Sequence, residues 1–183
     1  ADPHEYAFAS PPDADGNVWV TLTLTDANRS SAYLRGWAVR VAPGGTMTPV
    51  AAGLRSAGGV GLNRQGVPFY TESQGYWVGS SALRPLLPGS YQGAPPGLRW
   101  WSAFPGFGPR PPDFRNGERL EQARARMPAL VPPAVIFPHG DLGQCPTGFV
   151  VGAAAGKFGP FDGQLFVGEL AFSQVQRVFL EQV

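Results

Sequence analysis

One short pattern, a glycine turn followed by an apolar strand, occurs three times and limits the folds open to this chain. The copies span residues 15–21, 65–71 and 162–168. Their glycines permit the positive φ that a tight turn demands, and the β-branched and aromatic residues that follow suit a pleated, mostly buried surface. The chain is therefore expected to consist of many short strands joined by tight turns.

The spacing of the copies predicts how these strands are organised. The first two copies begin 50 residues apart, and the third begins 97 residues after the second. A propeller blade of four strands takes about 40–50 residues. We therefore predict an all-β fold, a partial β-propeller of about three four-stranded blades, with extra sequence before the third copy. A chain of 183 residues suits a single domain over 1–183.

Further strands are predicted around these copies. Apolar and β-branched runs mark residues 37–41, 47–51, 59–62, 134–137 and 174–180. Pro49 favours an outer, edge-like position for the second of these runs. The small residues of 59–62 favour an inner strand, where neighbouring backbones crowd together.

Residues 93–133 differ from the rest of the chain in being rich in proline and aromatic residues. Within them, residues 118–127 contain good helix formers, with glutamate early and arginine late, and Pro128 follows. We expect an ordered excursion from the propeller that carries one short helix. We refer to residues 93–133 as the excursion.

Composition excludes several kinds of partner and site. The formal net charge is +1, which gives no electrostatic reason to expect nucleic acid. No run of about 18 apolar residues is present, so no transmembrane helix is predicted. The single Cys145 excludes an internal disulfide and a cysteine-rich metal site. The start, Ala1-Asp2-Pro3, looks like the remainder of a cleaved signal peptide, which predicts an exported protein, periplasmic or extracellular.

Five segments together resemble one known family. They are residues 53–61 (GLRSAGGVG), 71–75 (TESQG), 86–93 (LLPGSYQG), 145–148 (CPTG) and 158–168 (FGPFDGQLFVG). In order and spacing they resemble the six-bladed β-propellers of the soluble glucose and sorbosone dehydrogenases, enzymes that use pyrroloquinoline quinone. The resemblance extends over nearly the whole chain.

The resemblance implies two catalytic positions. His4 precedes the first Asp-Gly turn, as the family's general base does, and Arg55 matches the arginine that stabilises charge on the quinone. If the chain is an enzyme, its cofactors would be pyrroloquinoline quinone and calcium. Ser56 replaces the family's asparagine, Leu170-Ala171 stands where a lysine is expected, and the family's C-terminal arginines lie beyond Val183. These departures favour a chain without a cofactor.

Simpler roles exist for the same side chains. His4 could be a solvated terminal residue, and Arg55 could cap strand carbonyls between blades. His139 with one aspartate does not make a metal site, and Glu72 and Asp141 are expected to cap turns.

An aromatic and arginine mixture in and near the excursion is the strongest signal for protein binding. The candidate partner-binding residues are Trp77, Trp100, Trp101, Phe104, Phe107, Arg115 and Arg119. Local packing of the aromatic rings is the alternative.

Three functional hypotheses follow. The favoured one is a non-catalytic exported subunit that docks on, or closes, a larger protein assembly, because three blades leave two open sheet flanks that a partner or self-association would have to cover. Such a partner includes a membrane-bound complex contacted peripherally. The alternatives are a quinone-dependent sugar or alcohol dehydrogenase, as a fragment or half-ring, and a carbohydrate-binding module.

Overall fold

The computed structural model describes residues 5–24, 32–152 and 156–181. His4 lies outside these residues. The described strands are β1 (Ala7–Ala9), β2 (Val18–Leu22), β3 (Trp37–Val41), β4 (Met47–Ala52), β5 (Ala57–Leu62), β6 (Pro68–Glu72), β7 (Ser81–Pro85), β8 (Ser90–Tyr91), β9 (Val135–Phe137), β10 (Pro146–Val151), β11 (Leu165–Glu169) and β12 (Gln174–Val178). The helical elements are two 3₁₀ segments, Pro95–Ala103 and Pro105–Phe107, and the α-helix α1 (Leu120–Arg126).

The strands form three sheets, which confirms the all-β prediction. The strand order is β1-β2-β3-β4-β8 in the first sheet, β5-β6-β7-β9 in the second and β10-β11-β12 in the third. All pairs are antiparallel except the short pair of β4 with β8. The expected four strands per sheet is met only by the second sheet: the first gains β8, and the described part of the third has three strands.

The 50-residue repeat is visible in the hydrogen bonds of the first two sheets. The Asp13 side chain accepts from the backbone N–H groups of Asp15 and Asn17, and the Asn63 side chain accepts in the same way two and four residues later. Each loop closes on a glycine with positive φ. The first two copies of the sequence pattern are therefore equivalent hairpins, which join β1 to β2 and β5 to β6.

The excursion lies between the third and fourth strands of the second sheet. β7 and β9 pair directly, with Leu83 opposite Val135, although the whole excursion separates them in sequence. On the way the chain adds β8 to the edge of β4 in the first sheet. Helix α1 is shorter than the predicted 118–127 because Glu118 lies in the preceding turn, where its carboxylate binds Arg126.

The sheets pack face to face in a stack with the excursion at one end. Trp37 and Val39 of the first sheet pack against Tyr91 and Trp101, so the excursion side covers the outer face of this sheet. A second cluster fills the space between the first and second sheets, and a third fills the space between the second and third sheets. One of the two flanks that the sequence predicts to be open is therefore closed by the chain itself.

Candidate docking surface

The outer face of the third sheet repeats the positions that the other two sheets use for packing. Three cross-strand pairs are equivalent in the repeat: Thr21 with Ala38, Thr71 with Leu83, and Gly168 with Val175. The first two pairs are fully buried against the next sheet in the stack. Val175, in contrast, is 67% exposed. The third sheet thus presents a packing face on which no described residues lie.

Apolar side chains dominate this outer face. Val150 lies opposite Phe166, and because side chains alternate along a strand they share a face with Val175. Val150 is 67% exposed and Phe179, just after β12, is 65% exposed. Isolated exposed apolar residues are ordinary, but a contiguous group on one sheet face marks a contact surface.

Aromatic contacts organise one side of the same face. The rings of Phe158 and Phe166 meet edge to face with centroids 4.9 Å apart, and Phe161 lies 6.0 Å from Phe166. The Arg177 guanidinium sits 4.8 Å from the centre of the Phe161 ring. A cation over an aromatic face is attracted by the ring quadrupole, so this contact holds the arginine flat against the sheet. We call the group Val150, Phe158, Phe166, Val175 and Phe179 the outer patch.

The inner face of the third sheet is tied down by a buried carboxylate. Glu169, 3% exposed, accepts hydrogen bonds from the backbone N–H groups of Gln144, Cys145 and Ala171. Glu72 ends β6 as Glu169 ends β11, and it accepts from the Arg55 N–H at 2.9 Å. Each carboxylate thus fixes the segment that enters the first strand of its sheet.

Glu72 also forms an ion pair that its sequence position does not reveal. Its Oε2 lies 2.7 Å from Nε of Arg84, and both side chains are buried. Close to this pair, burial raises the pKa of the Tyr70 hydroxyl well above its usual range, and the Glu72 carboxylate raises it further. Tyr70 therefore stays neutral and the pair is internal to the molecule.

The structure places Arg55 in the simpler of its two expected roles. Its Nη1 donates to the carbonyl oxygen of Gln74 at 2.8 Å. The quinone implied by the resemblance carries three carboxylates, which charge-assisted hydrogen bonds would have to hold. Arg55 is engaged with Gln74 and Arg84 with Glu72, so these two guanidinium groups do not fit that task. Within the described ranges, no group of three or more His, Cys, Asp or Glu residues could hold a metal ion.

Most of the predicted partner-binding aromatics pack against the first sheet. Trp101 is fully buried and its indole donates to Gly108, so this ring has no surface to offer a partner. Trp77 stacks on Phe114 with centroids 4.3 Å apart, and Trp100 meets Tyr33 edge-on at 5.2 Å. The remaining members are half-buried Phe104 and Phe107, which contact Trp37, and Arg115 and Arg119, which are exposed.

His139 and Asp141 lie in the exposed loop before β10. An imidazole nitrogen of His139 is 3.0 Å from the side-chain amide of Gln74. Asp141 donates its backbone N–H to the carbonyl of Pro138 in a turn. Neither residue reaches the outer patch, whose members the sequence reading did not assign to a site; comparing the exposed third copy with the buried first two was the available signal.

By fold and surface the chain belongs to the class of all-β proteins built from face-packed sheets, with one apolar sheet face uncovered. Comparison with family models, with curated proteins and with solved structures finds no match. None of the helices among the described residues is both long and apolar enough to cross a membrane.

Proposed function

We propose that this chain is a non-catalytic, exported subunit of partial-propeller type, which docks on or closes a larger protein assembly through the outer patch of its third sheet. The observation that carries the proposal is the exposure of Val175 at the repeat position where Ala38 and Leu83 are fully buried. Covering a large apolar residue contributes about 1.5–3 kcal/mol relative to leaving it exposed, so a partner on this face gains several such terms.

The closed end of the stack supports a partner other than a head-to-tail copy. A second copy that continued the stack would have to present the outer face of its own first sheet. That face carries Trp37 and Val39, and the excursion side covers both. The contact is therefore expected to be heterologous, with a different protein supplying the covering surface.

The test is the mass of the native particle, measured by native mass spectrometry on protein recovered from its source. The full chain should be found in a particle larger than itself, and Val175→Glu should release it as a monomer because a charge would be buried in the contact. Met47→Glu is the matched control, since Met47 is also exposed but lies on β4 of the first sheet.

Two results would overturn the proposal. One is a native monomer, or a particle that survives Val175→Glu unchanged. The other is reduction of a redox dye with an aldose after addition of pyrroloquinoline quinone and calcium, which would restore the dehydrogenase hypothesis.

A further inference from the structure

Strand β12 is an unprotected sheet edge. The outer edge strands of the other two sheets are short, with two residues in β8 and three in β9, whereas β12 has five. β12 pairs with β11 without a bulge and contains neither proline nor lysine. Bulges, prolines, lysines and short length are the devices that keep edge strands from pairing further, and β12 has none of them.

The other two sheets show what occupies this position. In the first sheet β4 pairs with β3, and in the second sheet β9 pairs with β7, both antiparallel. The residues equivalent to Val175 are Ala38, which faces Ala51, and Leu83, which faces Val135. A strand added to β12 in the same register would place an apolar side chain opposite Val175.

Gln176 provides a second, independent indication. Its side chain points to the inner face, since its cross-strand partner Val167 belongs to the core between the second and third sheets. Both polar atoms of its amide, Nε2 and Oε1, are buried and have no hydrogen-bond partner among the described residues. A buried amide without partners costs free energy, which a polar side chain on an adjacent strand would recover.

We propose that β12 binds an extended segment of the docking partner as a fourth, antiparallel strand. Resting on the proposed function, this adds the chemistry of the partner: an apolar residue opposite Val175 and an amide or hydroxyl side chain opposite Gln176. Main-chain hydrogen bonds supply the affinity of such strand addition, and the alternate side chains supply its specificity.

The chain's own β9 supplies the probe. A capped peptide with the sequence of residues 133–138, PAVIFP, carries Val135 for the Val175 position. Continuing the β7–β9 register by one residue places position 134 opposite the equivalent of Gln176. A second peptide has asparagine in place of Ala134, and a third has N-methylated amides and cannot complete the ladder.

The measurement is an NMR titration of the isotope-labelled full chain, which detects weak binding. Both unmethylated peptides should shift the amide signals of β12, and the asparagine peptide should bind about 2- to 10-fold more tightly, as one hydrogen bond implies. In Gln176→Leu that difference should vanish while the unsubstituted peptide still binds. Phe137, which ends β9 and is buried, should keep its signals unchanged.

Three outcomes would overturn the inference: no shift in β12, equal binding by the N-methylated peptide, or an asparagine preference that persists in Gln176→Leu. A dimer of the chain that β12 mediates would also overturn it, because a second copy would then hold the edge. If the peptides fail while Val175→Glu still releases the chain from its native particle, this inference fails and the proposed function stands.

Discussion

At the scale of single residues, the buried pair Glu72 and Arg84 shows why charge removal is asymmetric. Arg84→Met should lower the free energy of unfolding by about 3–5 kcal/mol, because the Glu72 carboxylate would remain buried without its cation. Arg64→Met is the matched control: Arg64 pairs with Asp162 at 2.9 Å, but the arginine is 56% exposed. That variant should change stability by less than about 1 kcal/mol. Urea unfolding of both variants tests this, and equal losses would contradict it.

Glu118 should give stability a dependence on acid pH. Its hydrogen bond to Arg126 lowers the pKa of the carboxyl from 4.5 to about 2. Because the folded pKa lies below the unfolded one, the contribution is fully present above pH 4.5 and is lost as the pH falls from there towards 2.

The measurement for Glu118 is the melting temperature of the native protein and of Glu118→Gln between pH 7 and 2. The native protein should lose stability more steeply than the variant below pH 4.5, where the unfolded carboxyl takes up its proton. Parallel curves would show that the carboxylate contributes nothing to this dependence.

Residue partners were the part of the site that the sequence did not predict. The sequence predicts Glu72 as a turn cap, and it does accept a hydrogen bond from Arg55 N–H, but its ion pair with Arg84 depends on pairing between β6 and β7. Trp101 has the composition of an interface residue and is fully buried. A local pattern fixes which residue types are present, whereas burial is decided by which distant segment packs over them.

At the scale of elements, β5 and β10 pack so closely that glycine is required. A Cβ on Gly59 would meet the backbone of Gly148, and backbone cannot move aside as a flexible side chain can. Gly59→Ala should therefore destabilise the protein by about 1–3 kcal/mol, as overpacking does. Gly44→Ala is the control, because a Cβ there has nothing within 4 Å. If thermal unfolding finds the two variants alike, this contact is looser than described.

Strands were predicted better than the way they join. The glycine-turn pattern predicted β2, β6 and β11, because turn chemistry and β-branched residues are local signals. The crowding expected at residues 59–62 is present in β5, although this strand begins earlier, at Ala57. The pairing of β7 with β9 across the excursion left no trace in the sequence, since such contacts depend on chain topology.

At the scale of the whole molecule, the stack is one-sided. The first sheet lies between the excursion and the second sheet, and the second lies between two sheets. The third sheet packs on one face only, and Val175 and Val150 on its other face are each 67% exposed. Burial of apolar surface supplies most of the stabilisation of a sheet, so stability should fall from the covered end of the stack to the open one.

This gradient predicts the order of amide hydrogen exchange in the isolated chain. The amides of β6 should exchange most slowly, because Tyr70 and Phe69 are buried on opposite faces of that strand. The amides of β11 should exchange faster, through local opening of the third sheet without global unfolding. Val175→Glu should leave this order unchanged, whereas a bound partner should slow exchange in β11 and β12 alone. Equal protection of β6 and β11 in the isolated chain would mean that the three sheets open as one cooperative unit, and that the outer patch is not a point of weakness that a partner repairs.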